Sequence, residues 1–241
     1  MAAENGVDEL VAKLTALKAE RGYLLPHHGL LAAMAPDVLD AYGALYRALT
    51  LGKRHLDEFT KEFVWLAILA ATDEAAATHH IAKFRNAGGT DAQIAIAVRL
   101  AAWARGEGAV AFADKIWSPH MAGFDWRQAR GDARAALIAG GSVTPGQALL
   151  AEIATRTCLD QWTQLADAIV EAVAAGESED RIAEALMLTM FPAGVPRFVE
   201  AAGVWLELIR DGRVPASPRL RAWASLEGQG GHDEASGKVK K

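Results

Sequence analysis

The 241-residue sequence predicts an all-α protein built from a duplicated helical unit, and three observations carry that prediction. The chain is rich in Ala and holds only 3 Tyr and 7 Phe, a composition that favours helix over sheet. No window alternates apolar and polar residues as a half-buried strand does, whereas apolar residues at helical spacing run through most of the length. Shifting the chain by 88 residues lays 36–117 on 124–205 with 16 identities in 82 ungapped positions, against about seven expected by chance from this composition. The matching positions are mainly Gly, Ala, Ile, Leu and Trp, the residues of turns and packing. The expected organisation is therefore an N-terminal helical extension over 1–35, a first repeat over 36–117, a second over 124–210, and a disordered Gly-rich tail over 227–241, with the repeats packed as one globular body.

Each element has its own warrant. Leu10, Val11, Leu14 and Leu17 predict a helix over 7–20, and Arg21-Gly22 breaks it before an irregular segment from Tyr23 to His28. Pro36 at a first-turn position opens a helix to about Thr50, which Gly52 ends. A strongly apolar helix follows from Leu56 to about Ala71, and Thr72-Asp73 reads as the cap of the next, which runs to Ala87 and stops at Gly88-Gly89. Thr90-Asp91 caps another helix continuing to about Trp117, with a bend near Gly106 and Gly108. The second half repeats this order, with Ser178-Glu179 standing where Thr90-Asp91 stands in the first.

Composition excludes several functions. A net charge of −5 and a pI near 5.8 argue against a nucleic-acid surface. The lone Cys158 excludes a disulfide framework and a CxxC redox pair within one chain. The apolar stretches 63–71 and 94–104 are too short or too interrupted to span a bilayer, and the polar, acidic start is unlike a secretory signal. A cytoplasmic protein with neither membrane nor nucleic-acid partner is the expectation. No phosphate loop, GxSxG or dinucleotide fingerprint occurs.

The stretch EFVWLAILAATDEAAATHHIAKFRNAGGTDAQIAIAV, residues 62–98, resembles the carboxymuconolactone decarboxylase family, which includes alkylhydroperoxidase D. The pattern is a Glu-led apolar helix, an acidic turn, a His, then Ala-Gly ending eight residues after the His, then a Thr-Asp-started helix. PDVLDAYGALYRAL, from residue 36, resembles the family's first helix, and AGESEDRIAEALMLTMFPAGVPRFVEAAGVW, 175–205, its C-terminal half. Where peroxidase members carry CxxC, this chain has Asp73 and Ala76, so thiol chemistry is absent there. Many decarboxylase members carry Glu at the position of Ala76. The family's Glu on the preceding helix aligns with Lys61 without gaps, or with Glu62 if the turn is one residue shorter. The second-repeat position of His80 is Ala168, so the second site is degenerate. The resemblance also implies homo-oligomers, and a fused pair of units favours a trimer.

His80 is the leading catalytic candidate, with Glu62, Asp73 and Glu74 as carboxylate partners, because a His beside a carboxylate transfers protons near working pH. On one continuous helix Asp73 and His80 would share a face, and the helix start near Asp73 would favour an anion. Each residue also has a plainer reading. Asp73 and Glu74 suit a helix cap, and Glu62 is either buried against the His or an exposed first-turn residue. Candidate substrate contacts are His79, His27, His28 and Tyr23, the last three on a loop able to close over a pocket, and Arg197, which would pair with a carboxylate or form a structural ion pair. Adjacent His79 and His80 point about 100° apart on a helix, and no HxxxH or ExxH spacing occurs, so no metal is expected. Trp65, Trp103, Trp117, Trp162 and Trp205 read as packing residues. The sequence thus points to a cofactor-independent lyase acting by acid–base decarboxylation or a related proton transfer on a small carboxylate or lactone. The rival is a non-catalytic binding or assembly protein on the same fold.

Overall fold

A computed structural model describes residues 2–140, 142–232 and 236–238. Among them the chain forms thirteen α-helices and no strand, so the fold is all-α. The chain divides into two compact units, 1–52 and 53–241.

The first unit holds α1 (Ala2–Arg21), α2 (Pro26–Met34) and α3 (Pro36–Tyr46), followed by a π-helical turn over Arg47–Leu51. Pro26 and Pro36 each stand at a helix start, where the missing N–H has no helical partner to lose. The helix beginning at Pro26 corrects the expected irregular segment: His27 and His28 lie on the first turn of α2, not on a loop. His28 helps to start that turn, since its Nδ1 accepts from the Leu25 N–H at 3.0 Å.

The second unit runs through α4 (Glu58–Thr72), α5 (His79–Asn86), α6 (Asp91–Arg105) and α7 (Glu107–Trp117). It continues through α8 (Trp126–Ile138), α9 (Pro145–Cys158), α10 (Trp162–Ala174), α11 (Glu179–Leu188), α12 (Val195–Arg210) and α13 (Pro218–Ala224). Its centre is the pair α4 and α9, which pack on each other, with α5 and α6 against α4 and α10 and α11 against α9. Residues 60–69 of α4 and 148–158 of α9 are all buried. A helix enclosed on every side has no solvent stripe, so the charged residues these two carry, such as Glu62, Glu152 and Arg156, are buried along with the apolar ones.

The cap of α5 differs from the expectation. Asp73 adopts a left-handed conformation, φ 55°, and ends α4, while the Glu74 N–H returns to the Leu69 carbonyl. The next helix begins only at His79, so a continuous helix over 73–87 does not form. Asp is one of the few side chains that tolerate this backbone conformation, which lets the same residue type close a helix as well as open one. The second half closes α9 in the same way: Asp160 has φ 56°, and the Gln161 N–H returns to the Arg156 carbonyl. These two closures are 87 residues apart, as are the N-caps Asp57 and Thr144, whereas Gly88 and Gly176 (φ 90° and 88°) are 88 apart. Across α4 and α9 the register is therefore one residue short of the ungapped alignment.

No described helix is long and apolar enough to cross a membrane. The predicted tail over 227–241 falls partly on 233–235 and 239–241, outside the described residues.

Candidate active site

α4 and α5 bring two distant polar residues together inside an apolar core. Glu62 is the fifth residue of α4 and is wholly buried, and His80 is the second residue of α5 and is 2% exposed. The His80 Nδ1 lies 2.6 Å from Glu62 Oε2. Against an ionised carboxylate, which only accepts, Nδ1 is the donor, and Nε2 then holds a lone pair in the neutral ring or a proton in the charged one. The exposed first-turn reading of Glu62 does not hold, because α4 starts four residues earlier and turns Glu62 inward. Lys61, the other residue that could align with the family's Glu, pairs instead with Glu58 at 2.9 Å.

Aromatic rings complete the surroundings of the imidazole. Trp65, one turn after Glu62, stacks on His80 with centroids 4.7 Å apart and planes 24° apart. The half-buried His79 ring lies 4.4 Å from that of His80. Sequence reading placed Trp65 among the packing residues. Its i+3 spacing from Glu62 is the signal that puts it on the same face.

The remaining candidates occupy other surroundings. Asp73 is exposed and accepts from the Arg105 guanidinium, a hydrogen bond that holds its carboxyl below the usual range. With α5 beginning at His79, Asp73 shares no helix face with His80 and marks no helix N-terminus. Glu74 is exposed and caps its own turn, its Oε1 accepting from the Ala76 N–H at 2.7 Å. Arg197 lies on the first turn of α12, not in a loop, and donates to both carboxylate oxygens of Asp160 at 2.7 and 2.8 Å. Asp73–Arg105 and Asp160–Arg197 are thus the same device, an arginine holding the left-handed Asp that ends a central helix.

In the first unit, the Tyr23 hydroxyl lies 3.5 Å from that of Tyr46, and the His28 Nε2 lies 2.6 Å from an Arg21 guanidinium nitrogen. His27 stands edge-on to Tyr42, with centroids 5.0 Å apart. Burial, the neighbouring His27 and the Arg21 charge lower the His28 pKa to about 4. Among the described residues no group of three His, Cys, Asp or Glu is placed to hold a metal ion. Cys158 is buried, which pushes its thiol up to about 12 and away from the reactive thiolate.

Residues 36–118 match the model of the Carboxymuconolactone decarboxylase family. The match covers 83 of the chain's 241 residues, and over that segment the sequence is similar to this family. The matched span contains both Glu62 and His80. No curated protein matches the chain. No solved structure matches it either. Within the family segment, the buried Glu62–His80 pair is the arrangement best suited to proton transfer, since a carboxylate orients the ring and steadies its charged form.

Proposed function

We propose that the protein is a lyase of the carboxymuconolactone decarboxylase type, acting by acid–base chemistry on a small carboxylate or lactone without a cofactor. The observation that carries this reading is the 2.6 Å contact between the buried His80 and Glu62 side chains. Decarboxylation leaves an electron pair on carbon, which moves into an adjacent carbonyl to form an enolate and must then be protonated. His80 serves as the acid through an Nε2–H, and Glu62 holds the ring and stabilises the imidazolium before it gives up the proton. The same pair run in the other direction removes a proton from carbon beside a carbonyl. Asp73, Glu74 and Arg197 take no part in this reading, because each is committed to a turn or an ion pair.

The test is a screen of lactones and carboxylated lactones by proton NMR, recording CO2 release and exchange of carbon-bound hydrogen with deuterated water. Turnover by the wild type, abolished in His80→Ala and reduced at least ~100-fold in Glu62→Gln, is expected. Turnover that survives His80→Ala overturns the assignment.

A second reading, a non-catalytic assembly protein, is favoured by two features. Two open cavities, one of about 1490 Å³ along α10 and α12 and one of about 820 Å³ between α7, α8 and α10, do not include Glu62 or His80. Phe112, Ile116 and Trp117 of α7 are each about half exposed. This reading expects no turnover in the screen together with a stable homo-oligomer, a trimer by family resemblance, in sedimentation equilibrium. A monomer at micromolar concentration removes it.

A further inference from the structure

Two buried polar atoms border His80 without a partner among the described residues. One is Glu62 Oε1, the oxygen that His80 does not use, and the other is Trp65 Nε1. Glu62 is fully buried and Trp65 is 4% exposed. An ionised carboxylate oxygen only accepts hydrogen bonds and an indole N–H only donates them. Leaving either unmatched away from water costs more than a single hydrogen bond returns, so native interiors hold few such atoms. Here one acceptor and one donor stand a helical turn apart on α4, and the indole that carries the donor stacks on the imidazole.

The second half of the chain provides a comparison. Where Glu62 stands in α4, α9 has Leu149 or Leu150 in either register, and Ala168 takes the place of His80. At the position of Trp65, α9 has Glu152 or Ile153, so the indole is missing together with the acid and the imidazole. Trp117 and Trp205, by contrast, occupy matching positions in both halves. An indole needed only to fill the core would not be expected to disappear in company with the site.

We propose that Trp65 is a substrate-binding residue whose Nε1–H donates to the carbonyl or enolate oxygen of the compound that His80 protonates or deprotonates. The inference rests on the acid–base reading above and narrows its substrate. The free Glu62 oxygen disfavours an ionised carboxylate beside it, so the group seated against the pair is a neutral carbonyl, as in a lactone, with an acidic C–H or O–H directed at the carboxylate and imidazole. Donation by Trp65 strengthens as negative charge moves onto that oxygen, and this is how a fixed donor favours the enolate over the ground state.

The experiment uses the ¹⁵N-labelled full chain and γ-butyrolactone as the neutral probe, with butyrate as its ionised counterpart. The Trp65 indole resonance is assigned by its loss in Trp65→Phe, a substitution that keeps an aromatic ring against His80. Saturable movement of this resonance with the lactone, and far less with butyrate, is expected. Trp65→Phe should weaken lactone binding about tenfold while its amide spectrum remains that of a folded protein. Lactone binding, followed by saturation transfer, that leaves the Trp65 resonance unmoved overturns the proposal. So does the absence of lactone binding at millimolar concentration. Because the readout is binding, an indole shift without turnover in the substrate screen would uphold the Trp65 assignment and count only against the lyase reading.

Discussion

Two buried histidines illustrate how completely a side chain's neighbours decide its chemistry. His80 faces a carboxylate, whereas His28 faces the Leu25 N–H on one ring nitrogen and the Arg21 guanidinium on the other, with the His27 and Tyr42 rings beside it. Charging His28 would add a cation next to Arg21 in a buried place, so its pKa falls to about 4 from an ordinary 6.5, and that of His27 falls as well. Between those two values the unfolded chain takes up a proton that the native ring refuses. The first unit therefore loses stability as pH falls through that window and gains none above it. Amide exchange in residues 1–52 should accelerate as pH drops from 6.5 towards 4, after correction for intrinsic rates, and His28→Gln should flatten that dependence. An NMR titration placing the His28 ring midpoint near 6.5 would contradict this. Sequence alone singled out His80 and Glu62, since a His in a family pattern and an acid in an apolar helix are both visible in one dimension. It could not assign Asp73 or Arg197, because each is fixed by an ion-pair partner more than thirty residues away.

At the scale of elements, the turn between α5 and α6 shows why two adjacent glycines have different reasons to be there. Gly88 has φ 90°, in the left-handed region that favours glycine. Gly89 is constrained by space: a Cβ there would meet the Phe84 ring at 2.2 Å. Phe84 is wholly buried against Phe59 and Phe63, so its ring has little room to retreat. Gly89→Ala should cost about 1–3 kcal/mol in urea unfolding. Gly108→Ala on α7, where the added methyl meets nothing within 4 Å, should be neutral or stabilising by up to ~1 kcal/mol. Equal effects of the two changes would show that Phe84 yields. Helix existence and most stops were legible because apolar spacing and Gly-Gly pairs are local signals. The α4–α5 boundary was not, because Asp caps both ends of helices and only the fold shows that Asp73 closes one.

Across the second unit, a buried ionic network joins helices from both halves of the sequence. Arg156 of α9 is fully buried and donates to Glu152 at 3.1 and 3.2 Å, while its guanidinium also lies 3.3 Å from Glu107 of α7 and 4.6 Å from the Trp103 ring of α6. Arg130 of α8 donates to Glu107 at 2.7 Å, and Arg134 of α8 donates to Glu152 at 2.9 Å and to Glu171 of α10. Five helices are thereby tied through charges most of which have lost nearly all their water. Taking such ions out of solvent is costly, and the net stabilisation depends on each one keeping its partners. Removing one member should therefore harm more than removing a matched pair. Glu152→Leu leaves Arg156 and Arg134 each short of a carboxylate and should cost about 3–5 kcal/mol, whereas adding Arg156→Met should recover a large part of that loss. Urea unfolding of the two single variants and the double variant gives the coupling directly. If the double variant is as unstable as the sum of the singles, the pair is not coupled, and the halves are held together by the apolar contact of α4 with α9 instead.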